Sequence, residues 1–428
     1  MKTGLARYPQ IEKFKNDVNQ CMKCGLCMSW CPVYRQEKKE TSVARGKNRI
    51  IRGLLNKDLE LTAEFSEHIN KCTLCGACTA NCPAKTNISN AIVAARADSV
   101  QKNGSKFPFN FIYRSLLPRR RLFGNIVRLA SWLQGIFMPA TSNRIRHLPF
   151  FLSALGKGRQ IPEIAPKFLR EIAPEINRPP TGVKTVMKVG YFCGCMTDFV
   201  FPSTGLNIIN FLEKNGVEVV LPQSQGCCGA PVFLGAGDFI TGRKFADANA
   251  LAFQGLDYVI TDCATCGSAI KDYDKYLADN DERHELYTEF AAKVKDISEF
   301  MVDILKLEPS SYSVKDEMKG KKITWHDPCH LNRHMGVKEQ PRSILKSIDG
   351  IEYIEMPDAA DCCGMAGTFS MHYYDLSTRI AAKKIDSILQ TGADIVVTGC
   401  PGCIIQLLDQ VTNKKLPVKV MHITELLE

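Results

Sequence analysis

"CMKCGLCMSWCP" occupies residues 21–32, and "CTLCGACTANCP" occupies residues 72–83. Each places four cysteines at intervals of three, three and four residues and closes on a proline. A loop that tight wraps its first three thiols around one small object, and Pro32 and Pro83 turn the chain away after the fourth. Eight of the nineteen cysteines in this 428-residue chain are used in that way, and the other eleven call for a separate reading.

A chain of this length folds as two or three domains, and 45% hydrophobic with 23% charged residues is the composition of a soluble globular protein. Its opening, "MKTGLARYPQIEKFKNDVNQ", has no apolar signal region, so the thiols are expected to be cytosolic and reduced. Reduced cysteines in clusters point to metal. The longest apolar stretch, "FGNIVRLASWLQGIFMPA", is interrupted by Arg128 and Gln134 and is too broken to span a bilayer. The net charge of +10 is concentrated: residues 101–160 hold eleven Lys and Arg and no Asp or Glu. Aromatic residues there (Phe107, Phe109, Phe111, Tyr113, Trp132, Phe137) mix with Leu and Ile in amphipathic stretches. Such a face suits an anionic membrane surface or an acidic protein better than nucleic acid.

The second half repeats. Cys195 corresponds to Cys329 at an offset of 134, Cys227 and Cys228 to Cys362 and Cys363 at 135, and Cys263 and Cys266 to Cys400 and Cys403 at 137. In the first copy the strands are read at "TVMKVGYF", "VEVVL" and "DYVIT", and in the second at "KITWH", "IEYIEM" and "DIVVT". Short β-branched runs alternating with amphipathic stretches such as "STGLNIINFLEKNG" predict βαβ units on parallel sheets. Every cysteine group then falls just past the carboxyl end of a strand, where open α/β sheets hold ligands. The expected organisation is a helical two-cluster domain over 1–100, a basic connecting region over 101–182, and two Rossmann-like cysteine-rich units over 183–312 and 313–428. The fold class is therefore mixed, α+β at the start and α/β after it.

The spacing C-x2-C-x2-C-x3-C-P is that of bacterial ferredoxins, in which three thiolates of a run hold one iron–sulfur cluster and the fourth reaches the other. Carried onto this chain, Cys21, Cys24, Cys27 and Cys82 hold one 4Fe-4S cubane, and Cys72, Cys75, Cys78 and Cys31 the second. Zinc sites, built from two C-x2-C knuckles, have no use for a third evenly spaced cysteine. The later sets, Cys195, Cys227, Cys228, Cys263, Cys266 and Cys329, Cys362, Cys363, Cys400, Cys403, each offer five thiolates, one more than zinc or an ordinary cubane takes. Either one cysteine in each set is spare or the cluster is unusual; structural zinc is the competing reading. Gly229 and Gly364, after the paired cysteines, let the backbone pass close to a cluster. Cys193, the nineteenth, reads as a buried strand thiol.

Two ferredoxin quartets followed by two "CCG" units resemble the iron–sulfur subunits of glycolate oxidase, of some lactate dehydrogenases and of anaerobic glycerol-3-phosphate dehydrogenase, and the D subunit of heterodisulfide reductase. The resemblance spans nearly the whole chain, and "RGKNRIIRG" and "DYDKYLADN" lean toward the glycolate oxidase branch. It implies an electron-transfer subunit with two cubanes and one or two further 4Fe-4S clusters, cubane or noncubane, in the CCG units. It also implies an FAD-containing 2-hydroxyacid dehydrogenase as partner and a membrane quinone or another redox acceptor beyond. The rival implication is a heterodisulfide-reductase-like catalyst, because both five-cysteine motifs are complete. No flavin signature is found on this chain, and "LGAGDF" at 234–239 lacks the context of a dinucleotide loop. "HDPCH" sets His326 and His330 around Cys329, where a histidine could donate to a cluster sulfur, relay a proton or merely cap a helix. The expected location is cytoplasmic, with peripheral contact through residues 101–160 on the inner face of the cell membrane.

Overall fold

The computed structural model describes residues 7–104, 108–134, 144–145 and 159–428. Lys106, Phe107, Phe137, Arg146 and Lys157 of the basic region lie outside those residues.

Among the described residues the N-terminal part is helical. Its longest helix, Ile88–Asn103, is buried from Ile88 to Asp98, because the helices Pro9–Lys13, Ala44–Leu55 and Ala63–Asn70 and the turn Pro231–Gly235 all pack on it. The small side chains of Ala91, Ala94 and Ala95 allow that close approach. Asp98 accepts from the backbone N–H groups of Gln10 and Ile11 at 3.1 and 2.8 Å and so caps the first helix. The stretch containing "RGKN" forms the helix Ala44–Leu55, with Ile51 and Leu54 in the core.

Two sheets follow. The first has five strands in the order Ile176–Asn177, Val217–Val220, Met187–Tyr191, Tyr258–Thr261, Val294–Asp296, all parallel except the first. The second has four parallel strands in the order Glu352–Ile354, Lys322–Trp325, Ile395–Thr398, Lys419–His422. Setting aside Ile176–Asn177, the two orders are the same, so the cysteine repeat is also a repeat of topology. In each unit the chain leaves its first strand to one side and later returns on the other. That reversal opens a crevice at the carboxyl ends of the strands.

The six anticipated strands all form, and the central ones are apolar because they are covered on both faces: Ile395–Thr398 is buried throughout. Helices such as Pro202–Lys214 and Tyr374–Thr391 supply that cover, burying Ile208, Ile209 and Leu212 in one unit and Ile380, Ile385 and Ile388 in the other. "LGAGDF" is closely packed: a Cβ on Gly237 would fall 2.4 Å from the Arg96 backbone, and Asp238 caps the helix Phe239–Ala252. Among the described residues no helix is long and apolar enough to cross a membrane.

Candidate metal centres

The two N-terminal loops repeat in backbone as well as in sequence. Lys23 and Gly25 adopt φ of 60° and 85°, and Leu74 and Gly76 adopt 52° and 70°, so each loop turns left-handed twice between its cysteines. Cys21, Cys24, Cys27 and Cys82 all line one cleft of about 340 Å³, part of it open to solvent. Cys24 is exposed. The thiols of Cys31 and Cys78 both lie within the electrostatic reach of Cys72 and Cys75, and burial pushes Cys31 up to about 12. Cys82 thus lies with the first loop and Cys31 near the second, while Cys78 borders both, lining the same cleft and lying within reach of Cys27.

Charged side chains brace these loops from inside. Lys47 is 1% exposed and donates to the Thr41 and Ser42 carbonyls at 2.9 Å, beside Cys31 and Cys72; burial lowers its pKa. Arg96 is also buried, and its guanidinium donates at 2.8 Å to the carbonyls of both Cys72 and Leu234. It therefore ties the second loop to the first sheet unit. Neither residue was singled out from sequence, because a charge reads as solvent-exposed until its partners are known.

In each sheet unit the first cysteine follows the first strand, the paired cysteines follow the second, and the C-x2-C opens a helix after the third. Cys263 and Cys400 are the N-cap residues of Ala264–Lys271 and Pro401–Asn413, which puts them at the positive ends of those helices. Gly229 and Gly364 have φ of 73° and 91°, and each backbone N–H points at the preceding Cys227 or Cys362 sulfur at 3.4 Å. Asn249 and Tyr273 donate to the Cys227 and Cys228 carbonyls at 2.9 and 2.8 Å, which gives "DYDKYLADN" a supporting role at the first set. All nineteen cysteines are free.

The two sets face one another. Cys263 and Cys400 meet at the junction, where Ala264 N–H donates to the Gly399 carbonyl at 3.3 Å and Thr265 Oγ lies 3.6 Å from the Cys400 sulfur. Within the second set the Cys363 and Cys403 sulfurs are 3.4 Å apart. Hydrogen bonds from neighbouring thiols hold Cys228 low (from Cys227 and Cys266), and likewise Cys363 (from Cys362 and Cys403) and Cys400 (from Cys263 and Cys403).

The second set also meets the N-terminal loops. Cys75, Ala77, Cys329 and Cys362 form one buried cluster, and the Cys362 thiol is the main influence raising that of Cys75. The turn His330–Met335 grips the loop beside it: Arg333 donates to the Cys75 carbonyl at 3.1 Å and His334 to the Leu74 carbonyl at 3.0 Å. His330 lies 3.5 Å from the Cys329 sulfur and stacks on His334. Thiol neighbours then run without a break from Cys75 through Cys362, Cys363, Cys403, Cys400, Cys263, Cys266, Cys228 and Cys227 to Cys195. Cys193 stays out of that series, 1% exposed, with Arg170 and Asp198 near it.

Five free thiols per set exceed by one both a tetrahedral zinc shell and an ordinary cubane, so it is comparison with known proteins that favours iron. The 4Fe-4S dicluster domain family matches residues 17–86, and the cysteine-rich CCG domain family matches 189–271 and 323–408. The chain is 28% identical to a probable glycolate oxidase iron–sulfur subunit of Bacillus subtilis, over 96% of this chain and 94% of that protein. It is 27% identical to a subunit of the CoM/CoB fumarate reductase of Methanothermobacter marburgensis, over 99% of this chain and 75% of that protein. It is 32% identical to lactate utilization protein A of a Geobacillus species, over 56% of this chain and 99% of that protein. The chain belongs to the family of iron–sulfur oxidoreductase subunits that contains lactate utilization protein A, and within it joins a 4Fe-4S dicluster domain to two CCG cysteine-rich domains, which together imply several iron–sulfur clusters.

Proposed function

We propose that this chain is the electron-transfer subunit of an FAD-dependent 2-hydroxyacid dehydrogenase, glycolate and lactate being the candidate substrates. The observation that carries the reading is the continuity of thiol neighbours from the N-terminal loops to the far CCG unit. Cys21, Cys24, Cys27 and Cys82 would hold the cluster nearest the surface, Cys72, Cys75, Cys78 and Cys31 the second, and the two five-cysteine sets the remainder. Bound clusters supply one-electron oxidation and reduction at potentials that burial and hydrogen bonding tune. Arg96, Arg333 and His334 keep the loop of the second quartet against both CCG units, and Lys47 offers a positive charge beside it. The Rossmann-like description of the two units, and the four-part division at 100, 182 and 312, belong to the same reading.

Exposed Cys24 shares its cleft with Met22 (66% exposed) and Leu26, an apolar rim suited to a flavoprotein partner. A membrane quinone is the proposed acceptor, reached through peripheral contact by the basic region. Co-purification under anaerobic, low-salt conditions tests the reading. Flavin retained with this chain, and visible absorbance bleached by glycolate or lactate, are the expected results; bleaching absent with every 2-hydroxy acid overturns it.

A second reading has one specific support: both five-cysteine sets are complete and face each other at Cys263 and Cys400. A disulfide bound between them would take two electrons and two protons and leave as two thiols. Turnover of a disulfide by the isolated chain with a reduced dye would establish it.

A further inference from the structure

His326 breaks the symmetry of the two CCG units. It follows the strand Lys322–Trp325 directly and precedes Cys329 by three residues. At the matching place, after Met187–Tyr191 and three residues before Cys195, the first unit carries Phe192. Both side chains are 0% exposed. Phenylalanine is at home there, whereas an imidazole brings two polar atoms that need partners. Neither Nδ1 nor Nε2 of His326 has an ordinary hydrogen-bond partner in the protein. What the ring does face is sulfur: one ring nitrogen and the Cys363 and Cys403 Sγ atoms all lie within 4.8 Å of one another. Those two cysteines are the second of the CCG pair and the last of the C-x2-C, so the ring reaches the middle of the five-cysteine set.

We propose that His326 donates an N–H hydrogen bond to sulfur at the iron–sulfur centre held by the second CCG set, and thereby makes the two CCG centres inequivalent. This rests on the iron–sulfur reading above. Reduction adds negative charge to a cluster and its sulfurs, so an aimed donor stabilises the reduced state and raises the potential. Phe192 gives the first set no such donor. The second centre, next to Cys75, is therefore the better electron acceptor of the pair.

The test uses the full-length chain, purified anaerobically, as wild type, His326→Phe and His326→Gln. Iron, sulfide and zinc are measured, and midpoint potentials are followed by EPR. Phenylalanine is the residue the fold already accommodates in the first unit, and Gln keeps an N–H. The proposal expects unchanged iron in both variants and a lower midpoint for one centre in His326→Phe, with recovery toward wild type in His326→Gln. Unchanged midpoints in His326→Phe overturn it, as does the loss of about four irons in both variants, which would make His326 a ligand rather than a donor. Zinc without iron in the CCG half of the wild type overturns the underlying cluster reading, and the proposal with it.

Discussion

Cys75 of the second N-terminal loop is buried against Cys362 of the second CCG unit, two residues 287 positions apart in sequence whose thiols neighbour one another. Through this contact the two cysteine systems touch. Cys75→Ser is accordingly expected to lose about four irons and to slow reduction of the CCG centres by the N-terminal clusters at least tenfold in stopped-flow absorbance. Cys193→Ala, which alters a thiol outside every set, is expected to leave iron content unchanged. Equal iron loss in the two variants would contradict the assignment.

Arg96 spends its guanidinium on backbone carbonyls from two parts of the fold, Cys72 and Leu234 among them. Replacement by Met fills the volume but strands those buried acceptors, a cost of about 3 kcal/mol. Arg96→Lys restores the charge without the fork, and one ammonium serves fewer acceptors. Both variants are expected to unfold at lower denaturant concentration, Met more than Lys; identical midpoints to wild type would show that the bridge contributes nothing.

Gly364 and Gly229 occupy equivalent places with unequal room. A Cβ on Gly364 would lie 2.6 Å from the Ser377 carbonyl oxygen, while one on Gly229 meets only side-chain carbon at 3.4 Å or more. Gly229→Ala should cost about 1 kcal/mol from its left-handed backbone alone. Gly364→Ala adds a backbone clash, so it is expected to cost more and to release iron from the second set first, as measured by iron analysis after thermal challenge.

Asp296 closes the strand Val294–Asp296 and accepts from the Ser298 N–H and hydroxyl through one oxygen, the other being buried without a partner. Burial raises its pKa from 3.8 to about 7. A group whose folded value lies above its unfolded one stabilises most below the unfolded value, and that contribution drains away as pH rises toward the folded value. Wild-type stability relative to Asp296→Asn should therefore fall between about pH 4 and 7, by at most about 1.4 kcal/mol per pH unit, and level off above. Thermal unfolding followed across that range checks it; a flat difference would mean that Asp296 is ionised throughout.

The cysteine groupings and the six strands were legible because each rests on local pattern: fixed thiol spacing, and short β-branched runs before every cysteine group. Ile176–Asn177, Val294–Asp296 and Lys419–His422 were not read as strands: none of them leads into a cysteine group, the landmark that drew out the other six. Contacts made by tertiary packing left no trace in sequence. Lys47, Arg96, Arg333 and His334 look like surface residues until the fold brings carbonyls to them. The basic region shows the same limit: Arg114, Arg120 and Arg128 are engaged by Asp238, Asp198 and Glu171, so part of its charge is turned inward.

What that region leaves outward is the helix Arg120–Leu133. Its inner side packs Phe123 on Phe199 and hydrogen-bonds Ser131 to the Ile164 carbonyl, while Leu122, Ile126, Leu129 and Trp132 (80% exposed) look away from the body. Leu122, Ile126 and Leu129 recur at helical spacing along one stripe, with exposed Arg119 and Arg121 at its head. An apolar stripe flanked by arginine, in a stretch free of Asp and Glu, suits the headgroup layer of an anionic bilayer. The intact chain should co-sediment with vesicles of mixed phosphatidylcholine and phosphatidylglycerol, more weakly as salt rises, and scarcely with phosphatidylcholine alone. Leu129→Glu with Trp132→Glu should reduce that binding at least tenfold without changing iron content, because neither side chain supports the core. Binding that survives the double substitution would move the contact elsewhere, and loss of binding to the flavoprotein instead would make this stripe a protein-docking face.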